Sequence, residues 1–201
     1  HMTHEQCQQL RDSLVFFLPN KHAEKAFNIL NDIQKTSISE WLYKHGKAAK
    51  DQAKRLNNKE IEVSVTGDDV LLSSDTYGSF MQSLVHVFRN AVAHGFGHEE
   101  DDGHITCSVK RQNDHININI CDNGNGINTE DIRTRLLDNN LLPEEKIRAL
   151  SDGDLLNYIF EFGLSTERDL SIDSGRGVGL AEVKHQLEQI NGTYNVTSSP
   201  G

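Results

Sequence analysis

The chain has 201 residues, room for one domain with an extension or for two small ones, and its 36% hydrophobic and 25% charged content describes a globular but rather polar protein. A formal charge of −10 excludes nucleic acid as the main partner, because a phosphate backbone calls for a basic face. No apolar run approaches the ~20 residues of a membrane span and no secretory leader is visible; the three cysteines, Cys7, Cys107 and Cys121, form no CxxC, which points to reduced thiols and a cytoplasmic setting.

Residues 3 to about 18 read as a helix, with Leu10, Leu14 and Phe17 at helical spacing and Pro19 ending it. A second helical run covers about 21 to 35, with Ala26, Ile29, Leu30 and Ile33 as its apolar face. Thr36-Ser37-Ile38-Ser39 is a break, and Ser39, followed by Glu40 and Trp41, starts a third helix that runs to about Leu56. These helices pair with each other, with a second chain, or with the main domain, and the sequence does not choose. The ten histidines show neither HExxH nor clustered ligand spacing, so a zinc site has no support. His4, His22 and His45 lie in the helical region but lack the acidic, Arg and Pro neighbours of a phosphate-accepting histidine; solvated helix positions are expected for them.

Asn57-Asn58 marks a boundary. Ile61, Val63 and Val65 alternate as a strand, Gly67-Asp68-Asp69 turns the chain, and Val70-Leu71-Leu72 is expected to pair back on that strand. From Tyr77 to His94 the pattern is helical, with Leu84, Val85, Val87, Phe88, Ala91 and Val92 on one broad apolar face. His86, Asn90 and His94, four apart, form a stripe on the other face, with Arg89 at its margin. Surface helices usually carry Lys and Glu there; neutral donors and acceptors suit the wall of a polar ligand site.

Gly95 to Gly103 is a loop whose Glu99-Glu100-Asp101-Asp102 run lacks the spaced oxygens of a calcium loop. Ile105–Lys110 and His115–Cys121 form a hairpin around Asn113-Asp114. The second strand runs into Asp122-Asn123-Gly124-Asn125-Gly126-Ile127: a carboxylate fixed at a strand end, beside two glycines that can take φ > 0 and admit close approach to the backbone. A turn closed by Asp and Asn accounts for the same residues. Helical pieces follow at about 129–140, 143–150 and 152–160, then a polar, broken stretch over 161–175. Ser174-Gly175-Arg176-Gly177-Val178-Gly179-Leu180 stands directly before a helix over 180–190, a context in which glycine backbone offers N–H groups to an anion. Asn191-Gly192 turns the chain and Thr193–Thr197 starts a strand; the chain stops at Gly201, short of a last strand of the sheet.

Four motifs therefore stand in order: His86-Val87-Phe88-Arg89-Asn90 with His94-Gly95, DNGNG, Phe162-Gly163-Leu164-Ser165-Thr166, and SGRGVGL. Together they resemble the ATP-binding domain of the GHKL superfamily, which includes gyrase, heat-shock chaperone, histidine kinase and mismatch-repair ATPases. They look most like the chemotaxis-type (CheA-like) histidine kinases, whose Asn motif reads H-x-x-R-N and is followed by H-G. The resemblance covers about residues 47–201 and leaves 3–46 as an N-terminal helical region. It implies an α+β, two-layer sandwich of the Bergerat type, a mixed sheet covered on one face by helices. Two departures stand out. Ala93 occupies a place where the family usually has Asp, and Phe162-Gly163 lacks the family's Pro.

The resemblance also implies roles. Asp122 accepts a hydrogen bond from the adenine amino group, and Gly124 and Gly126 let the loop lie against the base. Asn90 ligates Mg²⁺; Arg89 and His94 add donors near the phosphates; Gly175, Arg176, Gly177, Val178, Gly179 and Leu180 form the phosphate loop. Ser165 and Thr166 belong to a lid. His86, one turn before Asn90, is the catalytic candidate. The implied activity is transfer of the ATP γ-phosphate to a histidine on another domain or chain, and then to a response regulator, with the N-terminal helices as a candidate homodimer contact. The alternatives are a GHKL-type ATPase clamp and a non-catalytic nucleotide-sensing module. The clamp branch uses Glu where His86 stands.

Overall fold

The computed structural model describes residues 35–96, 102–161 and 179–199, together with the isolated positions 9, 22 and 25. The two helices expected before residue 35 therefore lie outside the described residues, as do the expected lid and most of the expected phosphate loop.

Strand β1 (Lys35–Ser37) leads directly into helix α1 (Ile38–Asn57). The expected break at 36–39 is thus divided between a strand and a helix. Ser37, not Ser39, is the N-cap: its backbone is extended and its hydroxyl accepts from the Glu40 N–H at 3.3 Å. The same hydroxyl donates to the Asp69 carboxylate. α1 ends where Asn58 takes the left-handed conformation, φ 49°. It runs without interruption through 46 and 47, and Ile38, Leu42, Ala49 and Ala53 along it are all buried in one core.

Strand β2 (Ile61–Gly67) pairs in parallel with β4 (Gly103–Gln112), which pairs antiparallel with β5 (His115–Asp122), so the sheet is mixed, in the order β2-β4-β5. The hairpin turns at Asn113, φ 53°, with Gln112 opposite His115. Side chains alternate across the sheet. Ile105, Cys107 and Val109 are buried, with Val63, Val65, Ile116, Ile118 and Ile120 packed around them, whereas Ser64, Thr66, Thr106, Asn117 and Asn119 are exposed. Among the described residues the helices cover only the first of these faces, as the resemblance implied.

Short strand β3 (Leu71–Ser73) does not return to β2; it pairs antiparallel with β1. The turn before it is tied elsewhere: Asp68 N–H donates to Val109 O at 2.9 Å, and the Asp68 carboxylate accepts from Arg111 N–H at 2.8 Å. Val70 O then accepts from Ile38 N–H at 2.9 Å, which draws the chain to the start of α1. The helix expected over 77–94 begins earlier and is divided into α2 (Ser74–Ser83), α3 (Val85–Asn90) and a π turn, Ala91–Gly95. Periodicity carries no warning of that division, because all three pieces bury one apolar side: Met81, Leu84, Phe88, Ala91 and Val92.

Beyond the hairpin, α4 (Thr129–Asp138), α5 (Glu144–Ala149), α6 (Asp152–Asn157) and a 3₁₀ turn, Tyr158–Phe160, gather a second cluster of Ile132, Leu136, Ile147, Leu155 and Leu156. Arg133 ties it together by donating to Ile147 O at 2.6 Å and Leu150 O at 3.4 Å. Helix α7 (Gly179–Gln189) lies against α2 and α3. The strand expected at Thr193–Thr197 does not form: the segment has no ladder partner among the described residues. It is held instead by side chains, with Val196 packed against both clusters and Tyr194 on Phe160 at 4.4 Å between ring centroids.

His45 also departs from expectation. It is buried between Trp41 and Phe88, and its Nε2 lies 2.7 Å from Met81 O. A carbonyl can only accept, so Nε2 carries the proton. Burial lowers its pKa, the Met81 carbonyl partly offsets this, and the nearby Lys44 charge adds to the lowering. The sign for stability follows: below pH 6.5 the unfolded chain takes up a proton that the folded chain resists, so stability is full above that value and is lost as pH falls toward the folded pKa. Chemical denaturation from pH 7.5 to 5 should therefore show falling stability. His45→Gln, which can still donate to Met81 O but cannot titrate, should flatten that slope.

Candidate functional site

The site is built where the end of the α3 segment meets the end of β5. Asp122 is the last residue of β5, and one of its carboxylate oxygens, Oδ1, accepts from Gly124 N–H at 3.0 Å. The turn reading of this motif is thus correct as far as it goes, since that oxygen closes the loop. The other oxygen, Oδ2, has no hydrogen-bond partner among the described residues. Asn123 secures the loop to β4 with three bonds: Oδ1 accepts from His104 N–H at 2.6 Å, Nδ2 donates to Asp102 O at 3.0 Å, and its N–H donates to His104 O at 3.2 Å. Sequence reading passed over Asn123 as a turn former.

Gly124 and Gly126 are glycine for different reasons. Gly126 takes φ +73°, and a Cβ there would stand 2.5 Å from Ser199 O. Gly124 is not in the positive-φ region. A Cβ built on it would lie 2.4 Å from Gly95 Cα and 2.5 Å from Gly95 O. Asn125 N–H donates to that same Gly95 O at 2.9 Å, and Ile127 N–H donates to Ser198 Oγ at 2.8 Å. The backbone that ends the helical segment and the backbone of the DNGNG loop are therefore in direct contact.

This contact brings the Asn motif to the carboxylate. Asn90 ends α3 half-buried, and its side chain forms no hydrogen bond with a described residue. His86 lies one turn earlier, also half-buried, while Arg89 and His94 are exposed. The π turn holds more residues per turn than an α-helix, so His94 is carried off the straight stripe on which His86 and Asn90 lie. Gly179 opens α7, Leu180 packs on the main core, and α7 lies against α3, the helix that carries Asn90. Ser165, Thr166, Gly175, Arg176, Gly177 and Val178 are outside the described residues.

Residues 81–201 match the family model described as "Histidine kinase-, DNA gyrase B-, and HSP90-like ATPase". The chain belongs to this ATPase family. The match opens within α2 and takes in the Asn motif, DNGNG and the glycine run; the first two meet in the fold through Gly95 and Gly124. Among curated ATPases of this type, the chain is 32% identical over 155 residues to the chemotaxis protein CheA of Halobacterium salinarum, covering 73% of this chain and 23% of that protein. It is 32% identical over 152 residues to CheA of Bacillus subtilis, covering 72% and 23%. It is 33% identical over 172 residues to CheA of Borreliella burgdorferi, covering 82% and 20%. The chain thus spans about a fifth of the length of these relatives. Among solved structures, a blue-light activated histidine kinase domain from Erythrobacter litoralis aligns with TM-score 0.49 and 18% identity, over 82% of this chain and 56% of that one.

Within the family frame the remaining polar groups sort plainly. Lys184 donates to Glu161 at 2.6 Å, and that bond raises the lysine pKa. The pair joins Glu161, the last described residue before position 179, to helix α7. Cys107 is buried, its thiol pKa pushed up to about 11 by desolvation, so it is inert; Cys121 is exposed beside Asp122. Among the described residues no helix is long and apolar enough to cross a membrane, and no group of His, Cys, Asp and Glu could hold a metal ion by protein ligands alone.

Proposed function

We propose that this chain carries the ATP-binding catalytic domain of a cytoplasmic signalling histidine kinase, beginning at α1, and that it transfers the γ-phosphate of ATP to a histidine on another domain or chain, from which a response-regulator aspartate receives it. The observation that carries this reading is the contact between Gly95 and Gly124, which sets the end of the helical segment that carries the half-buried Asn90 against the loop that carries Asp122. Asp122 Oδ2 suits the adenine amino group and repels the carbonyl that guanine presents at the same position. Gly126 and Gly124 leave the loop without side chains at the points where the chain folds closest on itself. Asn90 Oδ1 offers one neutral oxygen, which fits Mg²⁺, a cation that keeps most of its waters and takes its other ligands from phosphate. Bound there, Mg²⁺ would neutralise charge on the phosphates.

The N-terminus of α7 would offer its first-turn backbone N–H groups to the phosphates. Arg89 and His94 supply further donors, and Ser165 and Thr166 lie in the segment that closes over the nucleotide. His86, one turn from Asn90, is the residue placed to take the proton that the acceptor imidazole loses as its nitrogen bonds to phosphorus. Phosphoryl transfer asks mainly for positioning and charge stabilisation, and this set offers both. The segment before residue 35, helical by its sequence pattern, is the proposed homodimer contact.

Incubation with γ-labelled ATP, Mg²⁺ and candidate histidine-containing domains tests the reading. Acid-labile label on the partner is the expected result. Free phosphate alone would assign a hydrolytic clamp, and retained ATP binding with neither product would assign a sensor.

A further inference from the structure

We infer that Gly95 is a positioning residue that sets the preference of the site for a 6-aminopurine, by leaving open the space in which the Asp122 carboxylate rests. The inference rests on the nucleotide reading above and adds a residue that no motif reading assigned to base selection. Gly95 is not in the positive-φ region, so its backbone does not demand glycine. The demand is spatial. A Cβ at Gly95 would stand 3.0 Å from Asp122 Oδ1, 3.6 Å from its Cγ and 3.7 Å from Gly124 Cα.

Of the two partners, the buried Gly95 backbone is the fixed one and the exposed Asp122 side chain is the one that gives. Gly95 is buried at the end of the π turn, and Phe96, the next residue, is extended and 5% exposed, with its ring against Gly103. Gly95 O is committed to Asn125 N–H, and Asp122 Oδ1 to Gly124 N–H. A methyl group at position 95 therefore pushes on a short side chain whose near oxygen is already fixed in a turn. The carboxylate must rotate or shift by a few tenths of an ångström, and its free oxygen moves with it. That oxygen is the one proposed to meet the adenine amino group. The three atoms nearest to a Cβ at position 95 belong to Asp122 and Gly124, none of them to Asn90 or to the start of α7.

The test compares Gly95→Ala with wild type in binding ATP and inosine triphosphate, which carries a carbonyl in place of the amino group. The expected result is a loss of about tenfold in ATP affinity with inosine triphosphate affinity held within about twofold. Combined with Asp122→Asn, Gly95→Ala should cost nothing further for ATP, because the group it acts through is already changed. Unchanged ATP affinity, or equal loss of both nucleotides, overturns the inference and leaves Gly95 a packing residue. A nucleotide-free readout separates this from the function itself: the Gly124 amide resonance should move in Gly95→Ala, since its acceptor has moved. A moved resonance in a protein that binds neither triphosphate as wild type defeats the nucleotide reading and the selectivity role with it. Should the variant fail to fold, hydrogen exchange of wild type decides: rapid exchange at Asn125 N–H overturns the contact on which the inference depends.

Discussion

Asn90→Ala is expected to lower Mg²⁺-ATP-dependent phosphotransfer by about a hundred- to a thousandfold, the range seen when one preorganised group is removed from a charge-stabilising site. That corresponds to roughly 3–4 kcal/mol on the barrier. Stability should not follow activity down. The Asn90 side chain forms no hydrogen bond among the described residues, and alanine is the better helix former at an α3 position. The melting temperature should therefore hold or rise slightly. Single-turnover transfer at saturating ATP, measured beside a thermal melt, separates the two. Transfer at the wild-type rate would remove Asn90 from the metal site; a large drop in melting temperature would reassign it to structure.

Asp122→Asn should weaken ATP binding by roughly ten- to a hundredfold, the weight of one charge-assisted hydrogen bond at about 1.5–3 kcal/mol. The substitution keeps the shape of the loop, because an amide oxygen can still accept from Gly124 N–H. What changes is the outward atom. A carboxylate oxygen accepts from an amino group; an amide nitrogen opposes it and can donate to a carbonyl. The preference between ATP and inosine triphosphate should accordingly narrow or invert in calorimetric titration. A wild type that binds both equally well would show that Asp122 does not read the base.

Much of the sheet was legible before any coordinates. Ile61, Val63 and Val65, then the Ile105–Lys110 and His115–Cys121 hairpin, carry strict alternation with turn residues between them, and alternation with one buried face leaves a single workable register. The helices after DNGNG and the helix after the glycine run fell within a few residues of expectation. Three misreadings share a cause. Leu71 and Leu72 pair with β1, the Tyr77–His94 run divides into three pieces, and Thr193–Thr197 forms no ladder. In each case local pattern allows the element, and distant residues are bonded to the chain beside it: Ile38 N–H to Val70 O, Asn125 N–H to Gly95 O where the helical run ends, and Ile127 N–H to Ser198 Oγ. His45 was misjudged for a related reason. Polar residues on a Lys-rich helix read as solvated, and only packing places an imidazole between Trp41 and Phe88 with a carbonyl to receive its proton.

From residue types and spacing alone came the strand alternation and the family resemblance, and with the resemblance the candidate nucleotide groups: Asp122, Asn90 and the glycines of their motifs. These are chemical properties of side chains, or of their absence, and they travel with the chain whatever its fold. The tertiary structure decided which of those groups meet, which oxygen of Asp122 the turn consumes, and why positions 95 and 124 exclude a side chain. Those answers depend on two backbones from separate elements approaching more closely than any Cβ allows, and no single stretch of sequence contains both sides of that contact.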